Sequence, residues 1–440
     1  MMPLVPPSLP LSHDPLAALR QPSFIAFSGS RLLSGAAQTM VQAAVAWQVF
    51  AISGSALSLG LIGLARFLPA LGLSLVGGAV ADSYDRRRVL MLAQLAPLAC
   101  SLVLLAATRS GAVGLPLIYG VVLVMALASA FEGPARAALL PLVVTRETFV
   151  NAVAVNSTIQ QLGFVGGPVA GGVLIATVGV GGAYAAHALL VAGAILSLVL
   201  VRARVEPGAR RAVSFAGMKE GVVFVLRRQP LLGAMLLDMI AVIFAGATAL
   251  LPIYAEQILG VGARGYGLLT SAQAVGAFAM SVVLVALPPV KRTGLVLLIT
   301  VAGFGVATVI FGLSRAFPLS LVALALTGAT DQVSVVMRHT TIQLSTPDAL
   351  RGRVSSVSQV FIGASNQLGG VESGLVAAVT SATFAVVSGG IACVAVVGGI
   401  AAWMPELRRF RIRDDSPFGS AGAATPVRES GARDGRRDEG

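Results

Sequence analysis

Long apolar runs, broken by short stretches of Gly, Pro, Arg and Asp, recur along the chain from Phe24 to Trp403. Most reach about twenty residues or more, enough for a helix rising 1.5 Å per residue to cross a hydrocarbon core of roughly 30 Å. The breaks mark out twelve predicted spans: 23–51, 56–81, 87–108, 114–143, 149–177, 181–201, 229–258, 265–287, 293–313, 317–344, 353–379 and 381–404. A transmembrane β-barrel would instead show strands of about ten residues with alternating polarity. The expected fold class is therefore an all-α integral membrane protein.

Composition strengthens that reading. Of 440 residues, 56% are hydrophobic and only 11% charged, far from the balance of soluble domains. The formal net charge of +12 raises nucleic acid as a partner, but its placement points elsewhere. With a cytoplasmic N-terminus, nearly all Lys and Arg fall in inward segments, including Arg86 to Arg88, Arg136, Arg146, Arg202 to Arg228, Arg338, Arg351 and Arg353, and the tail. Outward loops hold only Arg109, Arg264 and Arg315. The positive-inside rule then sets both termini in the cytoplasm. Anionic lipid headgroups account for the basic excess, with no nucleic-acid partner. The N-terminal stretch lacks the basic lead, short apolar core and cleavage site of a signal peptide. Trp47 and Trp403 suit interfacial anchoring.

The longest internal polar segment, 202–228, follows the sixth span. The chain thus divides into a cytoplasmic lead (1–22), a first bundle (23–201), a central cytoplasmic loop (202–228), a second bundle (229–404) and a largely disordered cytoplasmic tail (405–440). Thr145-Arg-Glu-Thr-Phe-Val-Asn-Ala-Val153 and Thr346-Pro-Asp-Ala-Leu-Arg-Gly-Arg-Val354, each preceding the fifth span of its half, read as an echo between diverged copies.

The segment from Gly77 to Leu90, GGAVADSYDRRRVL, carries the most specific motif. With six plus six spans and a basic central loop, it resembles the major facilitator superfamily, whose loop between helices two and three has the pattern Gly-x-x-x-Asp-Arg-x-Gly-Arg-Arg. Gly78, Asp82, Arg86 and Arg87 match; Ser83 and Asp85 depart. The Ala-Asp-x-Tyr-Asp-Arg-Arg-Arg form is similar to the branch of enterobactin exporters and macrolide-efflux proteins. The resemblance implies a cytoplasmic gate at Gly78, Asp82, Arg86 and Arg87, with Asp82 facing the positive N-terminus of span eleven. In span five, Gly163, Gly167, Pro168, Gly171 and Gly172 satisfy Gly-x-x-x-Gly-Pro-x-x-Gly-Gly, which resembles the superfamily's antiporter signature. Small residues at this spacing also serve as plain helix packing.

Charges inside spans are functional candidates by default: Arg31, Arg66, Glu132, Asp238, Asp331 and Glu372. The resemblance implies that helices one, four, seven and ten line the central cavity, and four of these charges lie on them. Asp331, near the midplane with no arginine at its depth, is the first proton-coupling candidate, followed by Glu132 and Asp238. Arg31 is expected to pair with Asp238, Glu132 with Arg136 one turn on, and Arg66 with Glu372 as an outer gate or fixed pair. Gln38, Gln42, Asn156, Gln160, Asn366 and Gln367 add polar groups for substrate or for interhelical bonds. His187 and His339 read as structural, and Cys100 and Cys393 as buried thiols rather than a disulfide or metal site.

No phosphate-binding loop, metal-ligand cluster or Ser-His-Asp arrangement is present in the sequence. The chain is therefore expected to be no enzyme and to use a proton gradient in place of a cofactor. The reading is a bacterial inner-membrane secondary transporter, acting as a monomer, that exports a small amphiphilic molecule. An importer or uniporter on the same fold, a membrane sensor or scaffold, and a lipid-acting intramembrane enzyme are the alternatives.

Overall fold

The computed structural model describes residues 17–145, 147–202, 215–244, 246–287, 290, 292–347 and 350–410. Twelve helices of 16 residues or more stand in two sets of six among the described residues. The first set is α1 (Pro22–Ser53), α2 (Ala56–Ser83), α3 (Arg86–Arg109), α4 (Leu115–Leu139), α5 (Phe149–Val178) and α6 (Val180–Val199). The second is α7 (Gln229–Phe244), α8 (Gly262–Ala286), α9 (Thr293–Leu313), α10 (Phe317–Ser345), α11 (Arg351–Val379) and α12 (Ala382–Trp403). Nine spans among the described residues are long and apolar enough to cross a membrane. Large apolar side chains such as Leu189, Leu196 and Ile299 point outward, as expected where lipid is the solvent.

The two sets repeat one packing scheme. In the first, α1 packs on α5 and α6, α2 on α4, and α3 on α4 and α6; in the second, α7 packs on α11 and α12, α8 on α10, and α9 on α10 and α12. Between the sets the principal pairs are α2 with α11 and α5 with α8. Both described chain ends lie at one end of the molecule, called here the termini end. Ala18 N–H there donates to Asn151 Oδ1 at the start of α5, and the turn after α12 meets the start of α9 through Gly294 N–H and the Phe410 carbonyl.

At the far end the sets share one apolar core, joining Val45, Val49 and Tyr184 to Leu250, Tyr254, Tyr266 and Phe311. Toward the termini end the core divides. Phe24, Leu90 and Leu139 belong to one cluster, and Leu237, Leu297 and Met404 to another. Glycine makes the far-end junction possible. A Cβ on Gly172 of α5 would stand 2.7 Å from the Gly267 Cα of α8, and one on Gly374 of α11 would stand 2.6 Å from the Gly60 Cα of α2. In lipid such close backbone approach supplies helix association, because burying apolar side chains gains little.

Two elements depart from expectation. The predicted seventh span is interrupted: α7 stops at Phe244, and the chain continues through a 3-10 turn (Ala247–Leu250) and a π turn (Tyr254–Ile258). Pro252 lacks a donor for a continuous helix, and α11 presses on the last turn of α7, where a Cβ on Gly369 would stand 2.5 Å from the Val242 carbonyl. Irregular backbone is tolerated there because it is buried in protein; Tyr254 is fully buried and its hydroxyl donates to the Gly312 carbonyl at 3.1 Å. The central polar segment also contains a helix, Phe215–Leu226. Its Phe224 and Val225 dock on Leu231, Met235, Ile342 and Val354, and Glu220 pairs with Arg353. Of the tail, Pro405–Arg409 is helical and residues 411–440 lie outside the described residues.

Gly267→Val should lower stability by about 1–3 kcal/mol through overpacking and spread α5 from α8. Thermal unfolding in detergent and spin-label distances between the far ends of the two helices check both effects.

Candidate functional site

A cavity of about 1170 Å³ lies between the sets, larger than the usual small-molecule pocket of about 300–1,000 Å³. Its described lining comes from α1 to α6 and from α11. It runs from Arg66 in the far half of α2 to Ala137 and Ser355 near the termini end. Trp47 of α1 and Tyr266 of α8 meet at the far end with ring centroids 5.4 Å apart. Trp47 is thus part of the junction between the sets rather than a lipid anchor; Trp403 is exposed at the end of α12.

The resemblance led us to expect α7 and α10 among the lining helices, but neither contributes a described lining residue. Glu132 does line the cavity. It accepts from Arg136 Nη2 at 2.7 Å and from Gln94 Nε2 at 3.4 Å. Arg136 also donates to Ser34 Oγ of α1 at 2.9 Å. Arg31 interacts electrostatically with Arg136 and Glu132, so these residues form one charged cluster at the termini side of the first set.

The expected Arg31–Asp238 pair does not form. Asp238 is buried against Arg338 of α10 in an ion pair, within a set whose core is separate from that of Arg31 at this level. Arg136 and Arg338, which positive-inside counting assigns to loops, are 4% and 2% exposed inside helices. Each reaches from the fourth helix of its set to the first, and Ser34 and Asp238 occupy sites within about one helical turn (3.6 residues) of matching positions. The acid differs in place: in the first set it is Glu132, on the arginine's own helix, and in the second it is Asp238, on the facing one.

Arg66 and Glu372 also remain unpaired with each other. Arg66 turns into the cavity and interacts with the Tyr266 hydroxyl, whereas Glu372 is held by Ser373 at 3.3 Å. Glycines 60, 63 and 374 occupy the face where the two helices touch, leaving the flanking charges to turn aside. Asp331 of α10 makes no ion pair or hydrogen bond among the described residues and does not border the cavity. Gln38, Gln42, Asn366 and Gln367 line it, while Asn156 and Gln160 do not. His187, read as structural, borders the cavity while contacting Ser101 Oγ at 2.5 Å. Gln48 carries no motif that marks it in the sequence. It accepts from Tyr184 Oη at 2.5 Å and donates to Thr108 at 3.0 Å, tying α1, α3 and α6 together.

The two motifs divide into separate tasks. In the loop motif, Asp85 is the N-cap of α3, accepting from the backbone N–H of Arg87 at 2.9 Å, which explains an acid where the superfamily pattern has glycine. Arg87 donates to the Val199 carbonyl at 2.7 Å, at the C-terminus of α6, where a cation is favoured. Arg86 is half-buried at the start of α3. Gly78 and Asp82 lie within α2, in turns whose side-chain surroundings are outside the described residues. In the α5 motif, Gly163, Gly167 and Gly171 pack on α1 beside Ala36 and Met40, and Gly172 packs on α8. Pro168 is buried inside the helix, its carbonyl against Gly267.

This architecture agrees with comparison to known proteins. The sequence matches the transmembrane secretion effector family over residues 13–423. The chain belongs to that family of the major facilitator superfamily. It is 29% identical over 422 residues to the enterobactin exporter EntS of Citrobacter koseri, covering 94% of this chain and 97% of that one. It is 29% identical over 411 residues to EntS of Escherichia coli O157:H7, covering 92% and 95%. Among solved structures, the nucleoside transporter NupG superposes with a TM-score of 0.67 at 12% identity, covering 88% of this chain and 100% of that one. A bacterial homologue of the iron transporter ferroportin in an inward-facing state gives 0.66 at 15%, covering 88% and 99%. At these identities the structures establish the fold alone. This secretion effector is therefore a multi-pass membrane transporter of the major facilitator superfamily and not an enzyme.

Removing one partner of the buried Asp238–Arg338 pair should cost about 3–5 kcal/mol, and replacing both by apolar residues of similar volume should recover most of it. Asp238→Asn, Arg338→Met and the Asp238→Leu/Arg338→Met double variant, compared by unfolding in detergent, check this pattern.

Proposed function

We propose that this transporter exports a small amphiphilic molecule in exchange for protons by alternating access. The observation that carries the reading is a large cavity lined, among the described residues, by the first helix set and by α11 of the second, where the two sets share a core at the far end and have separate cores at the termini end. With both termini in the bacterial cytoplasm, as the distribution of basic residues favours, this is an inward-open arrangement. Substrate enters from the cytoplasm, the sets rock about the midplane, and the cavity opens outward. The likeness to enterobactin exporters and the Gly-Pro pattern of α5 favour export; import or uniport on the same fold is the second reading.

Proton coupling assigns a carboxylate that gains and loses a proton during the cycle. Asp331 has no described partner to hold it ionised, and Glu132 is the carboxylate among the described cavity-lining residues. Asp238 is already committed to Arg338. We place the coupling proton on Asp331 and assign Glu132 to the substrate side. Gly78, Asp82, Arg86 and Arg87 form the cytoplasmic gate in this scheme.

In proteoliposomes with an imposed proton gradient, Asp331→Asn should reduce gradient-driven efflux at least about tenfold, while exchange of labelled for unlabelled substrate, which needs no net proton movement, persists. Gradient-driven flux equal to that of the unaltered protein would refute the assignment. Flux that runs only inward would replace export by import.

A further inference from the structure

The charges around the cavity do not balance. Arg66 lines it, and Arg31 and Arg136 stand behind its wall around Glu132, the one carboxylate among the described lining residues. Glu132 is committed to Arg136, through a contact of 2.7 Å. The other acids of the interior do not offset the remainder: Asp238 pairs with Arg338, Glu372 is turned to Ser373, and Asp331 does not border the cavity.

The arginines also have unused hydrogen-bonding capacity. Among the described residues the enclosed Nε and Nη1 of Arg136 and Nε of Arg31 have no partner, so the positive charge behind the wall is only partly offset. Arg66 makes no ion pair or hydrogen bond among the described residues and has the Tyr266 hydroxyl as its neighbour. A buried guanidinium presents a planar fork of donors suited to a carboxylate or another oxyanion, and leaving it unmet in a membrane interior is costly. The rest of the wall supplies apolar surface from Val41, Val45, Val122, Met125 and Phe164.

We propose that the cavity takes an anionic amphiphile, with its acidic group met by Arg66 and favoured by the field of the Arg31–Arg136 cluster behind the wall, and its apolar body against the α1, α4 and α5 wall. This rests on the transport reading for its physiological meaning, but binding tests it independently. About ten residues separate Arg66 from the far end of α2, and nine separate Arg31 from the start of α1, so each lies about 15 Å from its own end of the molecule. The direct contact therefore lies at the depth of Arg66, with the Arg31–Arg136 cluster acting from the other half of the cavity.

The test uses the full chain in phosphatidylcholine nanodiscs and three fluorescent probes with one apolar body: pyrenebutyrate, pyrenebutyramide and pyrenebutylammonium, each corrected for uptake by empty nanodiscs. Pyrenebutyrate should bind about tenfold more tightly than the ammonium. Arg66→Gln should weaken pyrenebutyrate about tenfold and leave pyrenebutyramide unchanged, the latter also reporting an intact fold. Arg66→Lys should restore much of the loss. Equal binding of anion and cation, or an anion preference unaltered in both Arg66→Gln and Arg31→Gln, overturns the proposal. So does loss of pyrenebutyrate binding when the nanodiscs contain phosphatidylglycerol, which would assign the arginines to a lipid headgroup. Selective anion binding without flux of any amphiphile in proteoliposomes would remove the transport reading and leave this one standing. Gradient-driven flux without anion preference would do the reverse.

Discussion

Helices dissolved in lipid gain little by hiding apolar side chains from one another, so two six-helix sets must be held by something other than the hydrophobic effect. Here it is backbone proximity. Glycine meets glycine between α2 and α11 and again between α5 and α8, close enough that any Cβ would intrude. These contacts are confined to the far half of the helices, and the shared core occupies the same region. Nearer the termini each set closes on its own core. The cavity exists because the junction is one-sided, and a transport cycle on this scaffold amounts to moving that junction from one end to the other.

The interior charges follow from the same division. Each set holds a buried arginine on its fourth helix that reaches toward its first, Arg136 to Ser34 and Arg338 to Asp238. Duplication accounts for the shared arrangement, and the placement of the acid distinguishes the halves. In the second set the facing acid makes a closed ion pair. In the first the acid sits on the arginine's own helix and lines the cavity, while the arginine reaches Ser34 of the facing helix. The pair of the second set is shut away from the cavity, whereas the acid of the first set borders it, and the described lining comes mainly from the first set.

Several sequence features take on different roles in three dimensions. Asp85 departs from the superfamily's loop pattern because it caps α3, a local task that any position before a helix can acquire. Arg87, a gate residue by resemblance, is bonded to the end of α6. Trp47 has the position of an interfacial anchor along the chain, but its ring lies against Tyr266 of the other set. The glycines of the α5 signature are legible as small-residue packing, though their partners, α1 for three of them and α8 for the fourth, are not.

What the sequence determined by itself is set by length and solvent: helices long enough to span a bilayer, two repeated halves, and an interior with too few charges for any to be incidental. Those follow from hydropathy and spacing, which act along one dimension. Which charges meet was decided only by tertiary structure. Depth along a helix can be counted from the sequence, but rotation about its axis cannot, and a turn of one residue swings a side chain through about 100°. Arg31 and Asp238 share a depth and face different neighbours; Arg66 and Glu372 lie on touching helices and look away from each other. Arg136 and Arg338, counted with the cytoplasmic charges, fall within the fourth span of each half, and rotation of those helices turns their side chains inward toward the first helix of the set.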